Sequence, residues 1–330
     1  TINAMAIELN NDNYGKLIDP FNGVKDLKEK IIRTPLDPNI TYSDDPLRMM
    51  RAIRFASQLN FKIEKNSLKS ISENVERLSI ISQERITDEL NKIILSDIPS
   101  NGFRLLFETT LLHQFFPLMT KLQGVEFVGN HGHKDNFYHT IEVLDNISKK
   151  TNNLWLRWAA ILHDIAKPMT AVWDPKGIGN KWYSFYGHDK KGAEIIPEIV
   201  ERLKMPKELG KIAALVTRWH IYIYLSPPTL KCVRKVQAAL QEHLPALKML
   251  AKADHMGRGG IPEDVEAFFI EQDVPIVPLL KGQHLLNEGW KPGPHFGHAL
   301  KAAYKVQIDD GVTDLEELLE VARENNSNGS

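Results

Sequence analysis

Apolar positions recur every three to four residues along most of the chain, and only about the first forty residues depart from that period. Near the start, Ile7 and Leu9 alternate with polar neighbours. The turn-rich run Asn10-Asn11-Asp12-Asn13-Tyr14-Gly15 follows, and then Lys16-Leu17-Ile18-Asp19. This predicts a small β-hairpin. A lone hairpin is marginal in water, so either it packs on something later in the chain or its sheet partners are missing, and the second is the expectation. From about residue 44 the period is helical. Asp45 reads as a carboxylate N-cap with Pro46 at the first helical position. On a helical wheel from Leu47, residues Met49, Met50, Ala52, Ile53, Ala56 and Leu59 share one broad side, while Arg48, Arg51 and Arg54 occupy the other.

Further helices are predicted over 67–78, 84–96 and 101–113, then over 137–150, 154–166, 190–203, 207–219, 229–240 and 245–254. The stretch 168–187, rich in Trp, Tyr, Gly and Lys, has no helical period and reads as a loop or short hairpin. Glycines and prolines punctuate 257–297, two closing helices follow over 299–307 and 314–322, and the Asn/Ser tail reads as frayed.

Composition narrows the class without deciding the chemistry. Of 330 residues, 42% are hydrophobic and 25% charged, which excludes a disordered tail, a collagen-like fibre and a disulfide-stapled miniprotein. The net charge is −1, so any contact with nucleic acid must come from a local basic patch rather than a global cationic field. A single cysteine, Cys232, forms no internal disulfide and fits a reducing compartment. No apolar run approaches the roughly 20 residues of a membrane span. These features predict a cytoplasmic protein without membrane contact.

The arginine helix is the first place where chemistry enters. Asp45 and Arg48 are three residues apart and share a face. A carboxylate accepts from an exocyclic amine, and a guanidinium donates to the adjacent ring nitrogen. Adenine and cytosine both present that edge, whereas guanine and uracil reverse it. The same spacing also describes an ordinary helix start with an i,i+3 ion pair, worth a few tenths of a kcal/mol.

The wider string carries a resemblance. Asp19-Pro20-Phe21-Asn22-Gly23, Ile32-Arg33-Thr34, Asp37-Pro38 and Asp44-Asp45-Pro46-Leu47-Arg48-Met49-Met50-Arg51-Ala52-Ile53-Arg54 come in the order found in the class II CCA-adding tRNA nucleotidyltransferase and poly(A) polymerase family. Thr1-Ile2-Asn3-Ala4-Met5-Ala6 resembles the end of the family's Arg-Asp-Phe-Thr-x-Asn-Ala segment, and Glu84-Arg85-Ile86-Thr87-Asp88-Glu89-Leu90 resembles its neck motif. Asp44 stands where the family has glutamate, and Leu36 where glycine often precedes Asp-Pro. The resemblance implies that Asp45 and Arg48 read the base of CTP or ATP and that Arg51 and Arg54 face the triphosphate or the cleft. It also implies that Asp19-Pro20 lies near a hinge and that Glu84 and Arg85 brace the neck. The family's metal-binding carboxylate pair and Gly-Ser loop lie upstream of the position matched by Thr1. The expectation is therefore a fragment that does not polymerise nucleotides alone.

Eight of the twelve histidines fall between His131 and His255. His139 opens a predicted helix, His163-Asp164 lies within the apolar run 158–167, and Asp254 ends another helix. A histidine and an aspartate among apolar neighbours are costly unless paired or metal-bound. A His-Asp dipeptide alone fits a satisfied core histidine, but the ordered set His…His-Asp…His…His…Asp points to a metal. Two imidazoles and two carboxylates suit Mn, Fe, Co, Ni or Mg better than a tetrahedral structural zinc. His188 and His220 are candidates to extend the centre to a second metal.

That order, with Asp164-Ile165-Ala166-Lys167, resembles the HD metal-dependent phosphohydrolase superfamily. The resemblance implies His139, His163, Asp164 and Asp254 as metal ligands, Lys167 at a substrate phosphate, and His188 and His220 beside it in catalysis. It implies phosphoester hydrolysis by a metal-activated water. His131 and His133 read as loop histidines, and Trp155, Trp158, Trp173 and Trp182 as packing rather than an RNA platform.

The predicted fold is mainly α. A β/α remnant of a nucleotidyltransferase palm (1–40) precedes a helical neck that binds base and RNA (41–120), an HD domain (121–256) and a helical tail (257–330). The predicted partners are tRNA, CTP and ATP. The predicted cofactor is a divalent metal: Mg for nucleotidyl transfer, and Mg, Mn, Ni, Co or Fe at the histidines. Two alternatives stay open at this point, a free-standing HD phosphohydrolase acting on nucleotides or RNA ends and a catalytically silent RNA-binding module.

Overall fold

The structure, a computed structural model, describes residues 1–10, 12–124, 127–128, 131–132, 135–173, 183–224, 229–260 and 276–327. Its first elements are the predicted hairpin, β1 (Ala6–Ile7) antiparallel to β2 (Leu17–Ile18). Two helices that the periodicity does not predict come next, α1 (Gly23–Glu29) and α2 (Pro38–Asp44), each too short to show a full amphipathic stripe. Side-chain caps define both. The Asp19 carboxylate accepts from the Gly23 and Val24 amides at 2.6 and 2.9 Å, which holds its carboxyl below the usual range, and Asp37 accepts from Asn39 N at 2.7 Å. β3 (Ile31–Ile32) pairs in parallel with the later β4 (Lys62–Ile63).

Between those strands runs α3 (Leu47–Leu59), the arginine helix. Two details differ from expectation. Pro46 stands at the N-cap, and Asp45 closes α2 while its Oδ1 accepts from Leu47 N at 3.2 Å. Leu59, assigned to the buried side, is exposed, because Asn60 enters the left-handed region there and turns the last residues outward. The rest of the wheel holds, with Met49, Met50, Ala52, Ile53 and Ala56 all buried.

The predicted helix 67–78 divides at Asn74 into α4 (Lys65–Glu73) and a 3-10 turn (Val75–Ile80). α5 (Gln83–Ile94) follows. The predicted helix 101–113 breaks at Thr110 (φ 61°) into α6 (Pro99–Glu108) and α7 (Leu111–Phe115), and α8 (Pro117–Thr120) begins at a proline. A short antiparallel pair, β5 (Phe127–Val128) and β6 (His131–Gly132), precedes α9 (Asn136–Ser148).

α10 (Leu154–Leu162) stops before His163, earlier than the predicted 166, because the chain tightens into a turn at His163–Asp164. The non-helical stretch contains α11 (Lys167–Thr170) and the hairpin β7 (Val172–Trp173)–β8 (Tyr183–Ser184). Then come α12 (His188–Arg202), α13 (Lys207–Trp219), a 3-10 turn (His220–Tyr224), α14 (Leu230–Leu240) and α15 (Leu244–Gly257). α16 (Gly282–Asn287), which was not predicted, α17 (Pro294–Asp310) and α18 (Leu315–Ser327) complete the chain. α18 runs through Asn325 and Asn326, which the sequence reads as frayed tail. The fold is mainly α, as the periodicity predicts. Among the described residues no helix is long and apolar enough to cross a membrane.

The chain divides into two compact units, Thr1–Arg218 with Ala253–Gly260, and Trp219–Lys252 with Ile261–Ser330. In the first, α3 packs on α5 and α6, α6 on α9, and α9 on α10. Met49, Met50, Ile53, Leu90, Phe103 and Trp158 are fully or almost fully buried at this core. Trp158 satisfies its indole by donating to Asn91 Oδ1 at 2.8 Å, a packing role as expected. Trp173 is exposed, and Trp182 lies outside the described residues. Polar ties cross the core. Arg54 on α3 meets Glu89 on α5 at 3.0 Å, with Lys92 joining at 3.1 Å, so the neck brace is Glu89; Glu84 and Arg85 stay exposed on the first turn of α5. In the second unit, α17 packs on α18 and α14, and the Arg234 guanidinium donates to the carbonyls of Ile308 and Asp309 at 2.7 and 3.1 Å.

Arg157 is a second polar tie in the first unit. It is 1% exposed and donates to the Ile94 and Ser96 carbonyls at the end of α5, to the Ser148 and Thr151 carbonyls at the end of α9, and to Asn152 Oδ1, all between 2.7 and 3.1 Å. Helix ends leave such carbonyls without intrahelical partners. Arg157→Ala is expected to destabilise the protein by about 2–4 kcal/mol, because it leaves several buried acceptors unpaired. Urea midpoints measure this. A loss of under roughly 0.5 kcal/mol would show that the carbonyls find other donors.

Candidate metal centre

Four side chains converge at the start of α9, the end of α10 and the last turn of α15, all within the first unit. His139 lies one turn into α9, which starts where the Asp135 carboxylate caps Phe137 and Tyr138 at 2.9 and 3.3 Å. His163 and Asp164 close the apolar helix α10, which is buried along the run 157–162 and so carries them inside. Asp254 sits on α15, one turn before its end. All four are at most 4% exposed.

The distances describe ligands around one point. His139 Nε2 is 2.7 Å from Asp254 Oδ1 and 3.9 Å from Asp164 Oδ2. His163 Nε2 is 3.1 Å from Asp164 Oδ2 and 3.8 Å from Asp254 Oδ1. With metal–ligand bonds of about 2.1 Å, adjacent ligands of one ion stand roughly 3.0 Å apart and opposite ones roughly 4.2 Å apart. The ligand atoms of His139, His163 and Asp164 fall within 4.8 Å of one another. The donor set is two imidazole nitrogens and two carboxylates, which suits a divalent transition metal or Mg²⁺.

Neighbouring groups orient these donors. His163 Nδ1 lies 2.7 Å from the Ala160 carbonyl oxygen. That tautomer donates from Nδ1 and leaves the Nε2 lone pair facing the carboxylates. His188, at the first residue of α12, repeats the arrangement: Nδ1 is 2.7 Å from the Phe185 carbonyl and Nε2 is 3.3 Å from Asp164 Oδ1. Lys167 Nζ is 2.8 Å from Asp164 Oδ2 and 3.2 Å from Asn136 Oδ1. Arg258 grips Asp254 with two bonds, Nε to Oδ1 at 3.1 Å and Nη2 to Oδ2 at 3.0 Å. Gly257 permits the close approach of α15 to α9, since a Cβ there would stand 3.2 Å from His139 Cε1 and 3.0 Å from Val143 Cγ2.

Burial alone would push both aspartates toward their neutral form. The neighbouring cations and hydrogen bonds win, and both carboxyls lie well below the usual range. For Asp164 the opposing groups are His163, Lys167 and His188; for Asp254 they are His139, Arg258 and His163. Burial favours neutral His163, yet Asp164 and Asp254 outweigh it and raise its value above the ordinary 6.5. Two carboxylates facing Lys167 and Arg258 make the centre electrically balanced. A bound dication would leave it positive, which suits an anionic substrate.

Of the residues singled out in the sequence, His139, His163, Asp164, Asp254, Lys167 and His188 come together. His220 is buried at the head of its 3-10 turn. His131 belongs to β6, and His133 lies outside the described residues. Asp45, just before α3, and Arg48, Arg51 and Arg54 on its first two turns form a separate group. Arg48 Nε is 3.5 Å from Asp45 Oδ2 with both side chains partly exposed, Arg51 is exposed, and Arg54 is half-buried against Glu89 with its guanidinium 4.2 Å over the Phe55 ring. The sequence reading missed Arg258 and Asn136. Arg258 had a signal, its i,i+4 spacing from Asp254. Asn136 had none beyond its place before a histidine helix.

Comparisons with known proteins follow the same division. Residues 60–122 match the family model described as the "probable RNA and SrmB-binding site of polymerase A", and residues 136–256 match the HD domain. The chain is 32% identical to the A-adding tRNA nucleotidyltransferase of Deinococcus radiodurans, over 92% of this chain and 72% of that protein. It is 31% identical to a multifunctional CCA protein of Pseudomonas fluorescens, over 91% and 73%. Among solved structures it shares its fold with the Bacillus stearothermophilus CCA-adding enzyme in complex with CTP (TM-score 0.62, 20% identity, 99% of this chain and 73% of that one). It also shares it with the Thermotoga maritima enzyme complexed with tRNA (TM-score 0.53, 21% identity, 98% and 71%).

A divalent cation competes with a proton for His163 Nε2. Affinity is therefore greatest above the raised value of His163 and falls, by up to about tenfold per pH unit, as the pH drops below it. Manganese titration followed by electron paramagnetic resonance should show this slope. It should also show losses of roughly 100-fold or more for His163→Ala and Asp254→Ala. Affinity indifferent to both substitutions would place the ion elsewhere.

Proposed function

The chain belongs to the CCA-adding tRNA nucleotidyltransferase family, an enzyme family, and from that premise we propose that it acts at the 3′ end of tRNA, in synthesis or repair, with CTP and ATP. The observation that carries this reading is the partly exposed Asp45–Arg48 pair at the head of α3, held three residues apart at 3.5 Å. Asp45 accepts from the exocyclic amine of cytosine or adenine, and Arg48 donates to the neighbouring ring nitrogen. Arg51, one turn on and exposed, faces the triphosphate. Arg54 adds positive potential from its anchored position and, through Glu89, keeps α3 fixed on α5. We assign residues 1–40 to the palm, 41–120 to the base- and RNA-binding neck, 121–256 to the HD domain and 257–330 to the tail, in a cytoplasmic protein.

A second activity is favoured by the four buried donors, and we assign it to hydrolysis of a phosphoester at a nucleotide or RNA end. Membership of the family implies a divalent metal. Mg²⁺ for nucleotidyl transfer, and Mn, Ni, Co, Fe or Mg at the histidines, are the finer assignment. Held by His139, His163, Asp164 and Asp254, the ion would supply Lewis-acid activation of water for attack at phosphorus. Lys167 would receive a phosphate oxygen, and His188, with Nε2 toward the centre, would hold or move a proton.

Two measurements test the paired reading. Equilibrium binding of the four nucleoside triphosphates should favour CTP and ATP over GTP and UTP. Asp45→Ala or Arg48→Ala should erase a preference of about tenfold, the scale of a good two-bond base contact; equal binding of all four by the wild type would refute the assignment. Hydrolysis of a 2′,3′-cyclic nucleotide should disappear in Asp164→Asn while CTP and ATP binding persists. Hydrolysis that survives this change would remove the centre from the chemistry.

A further inference from the structure

Asn136 is the first residue of α9, one helical turn before His139, and it is 1% exposed. Its Oδ1 accepts from the Lys167 ammonium at 3.2 Å, and that ammonium is 2.8 Å from Asp164 Oδ2. Its Nδ2 is buried and has no hydrogen-bond acceptor among the described residues. An unpaired buried amide donor is costly, and such groups ask for an explanation. One carboxamide thus spends its acceptor on the cation assigned to phosphate and holds its donor in reserve beside it.

We propose that Asn136 is a second phosphate-binding group of the centre. Its Oδ1 positions Lys167, and its Nδ2–H donates to an oxygen of the phosphate that Lys167 receives. This rests on the phosphoester reading above and deepens it, because it names the anionic group the centre grips and a residue that grips it. The electrostatics support the order of events. Without a cation, Lys167 neutralises Asp164. With one held by the same carboxylate, Asp164 is shared, and the ammonium, still tethered to Asn136, is left to face an anion. A lysine alone is a point charge on a flexible stem; a fixed amide next to it adds direction. The site therefore takes a phosphate with two oxygens open to donors from one side.

The test uses the full chain and inorganic phosphate. Manganese affinity is measured by electron paramagnetic resonance and phosphate affinity by calorimetry on the manganese-loaded protein, for wild type, Asn136→Ala, Asn136→Asp and Lys167→Ala. Asn136→Ala should weaken phosphate about tenfold and leave manganese affinity within about twofold, a split that simple loss of packing would not produce. Asn136→Asp keeps the acceptor for Lys167 but lacks the donor, and should lose at least as much phosphate affinity. In the wild type loaded with diamagnetic Mg²⁺ in place of manganese, the Asn136 side-chain amide resonances should shift on adding phosphate, a readout that needs no variant to fold. Wild-type phosphate affinity in both Asn136 variants, alongside a loss in Lys167→Ala, would overturn the role of Asn136 while sparing the phosphoester reading. A wild type that takes up no manganese, or binds phosphate equally without it, would overturn that reading and this proposal together.

Discussion

Two carboxylates buried among apolar helices are the constraint around which the first unit is arranged. Asp164 and Asp254 are almost wholly removed from water, and an isolated buried carboxylate would protonate rather than persist. They persist as anions because each is surrounded by opposing charges and hydrogen-bonding groups. Asp164 has Lys167, His163 and His188; Asp254 has Arg258, His139 and His163. No single helix can supply such a set. The centre exists only when α9, α10 and α15 are packed together, so its geometry reports on the packing of the unit. That packing depends in turn on ties such as Arg157, which joins the ends of α5 and α9, and on Gly257, which lets α15 lie against the His139 ring.

The arginine helix solves a different problem with similar means. α3 must bury Met49, Met50 and Ile53 on one side while keeping charged groups available on the other. The three arginines grade from exposed to half-buried along its length. Arg48 and Arg51 stay exposed near its start, and Arg54 sinks against Glu89 on α5. One end of the helix is thus anchored by a nearly buried ion pair, and the other presents a carboxylate and a guanidinium. Such rigidity favours base selection, which requires two bonds to be offered at a fixed separation.

Much of this was legible from residues alone, and the exceptions have physical causes. Long helices announced themselves by period, and so did the ordered series His139, His163-Asp164, Asp254, whose first and last members are roughly 400 Å of chain apart when extended yet meet within about one coordination shell. The short helices α1, α2 and α16 were invisible because two turns or fewer show no stripe, and they depend on caps and tertiary contacts. Leu59 was misassigned because a wheel does not know where a helix ends. Glu84 and Arg85 were chosen by motif for a bracing task that burial gives to Glu89, five residues further along the same helix. Arg258 and Asn136 were missed since their roles lie in what they hold rather than in a motif.

Anomalous diffraction from manganese-soaked crystals, recorded at the manganese edge, addresses the four-donor arrangement itself. A single strong peak is expected within about 2.2 Å of His139 Nε2, His163 Nε2 and one oxygen each of Asp164 and Asp254. A peak bound elsewhere, or none at saturating manganese with the four side chains unmoved, would contradict it.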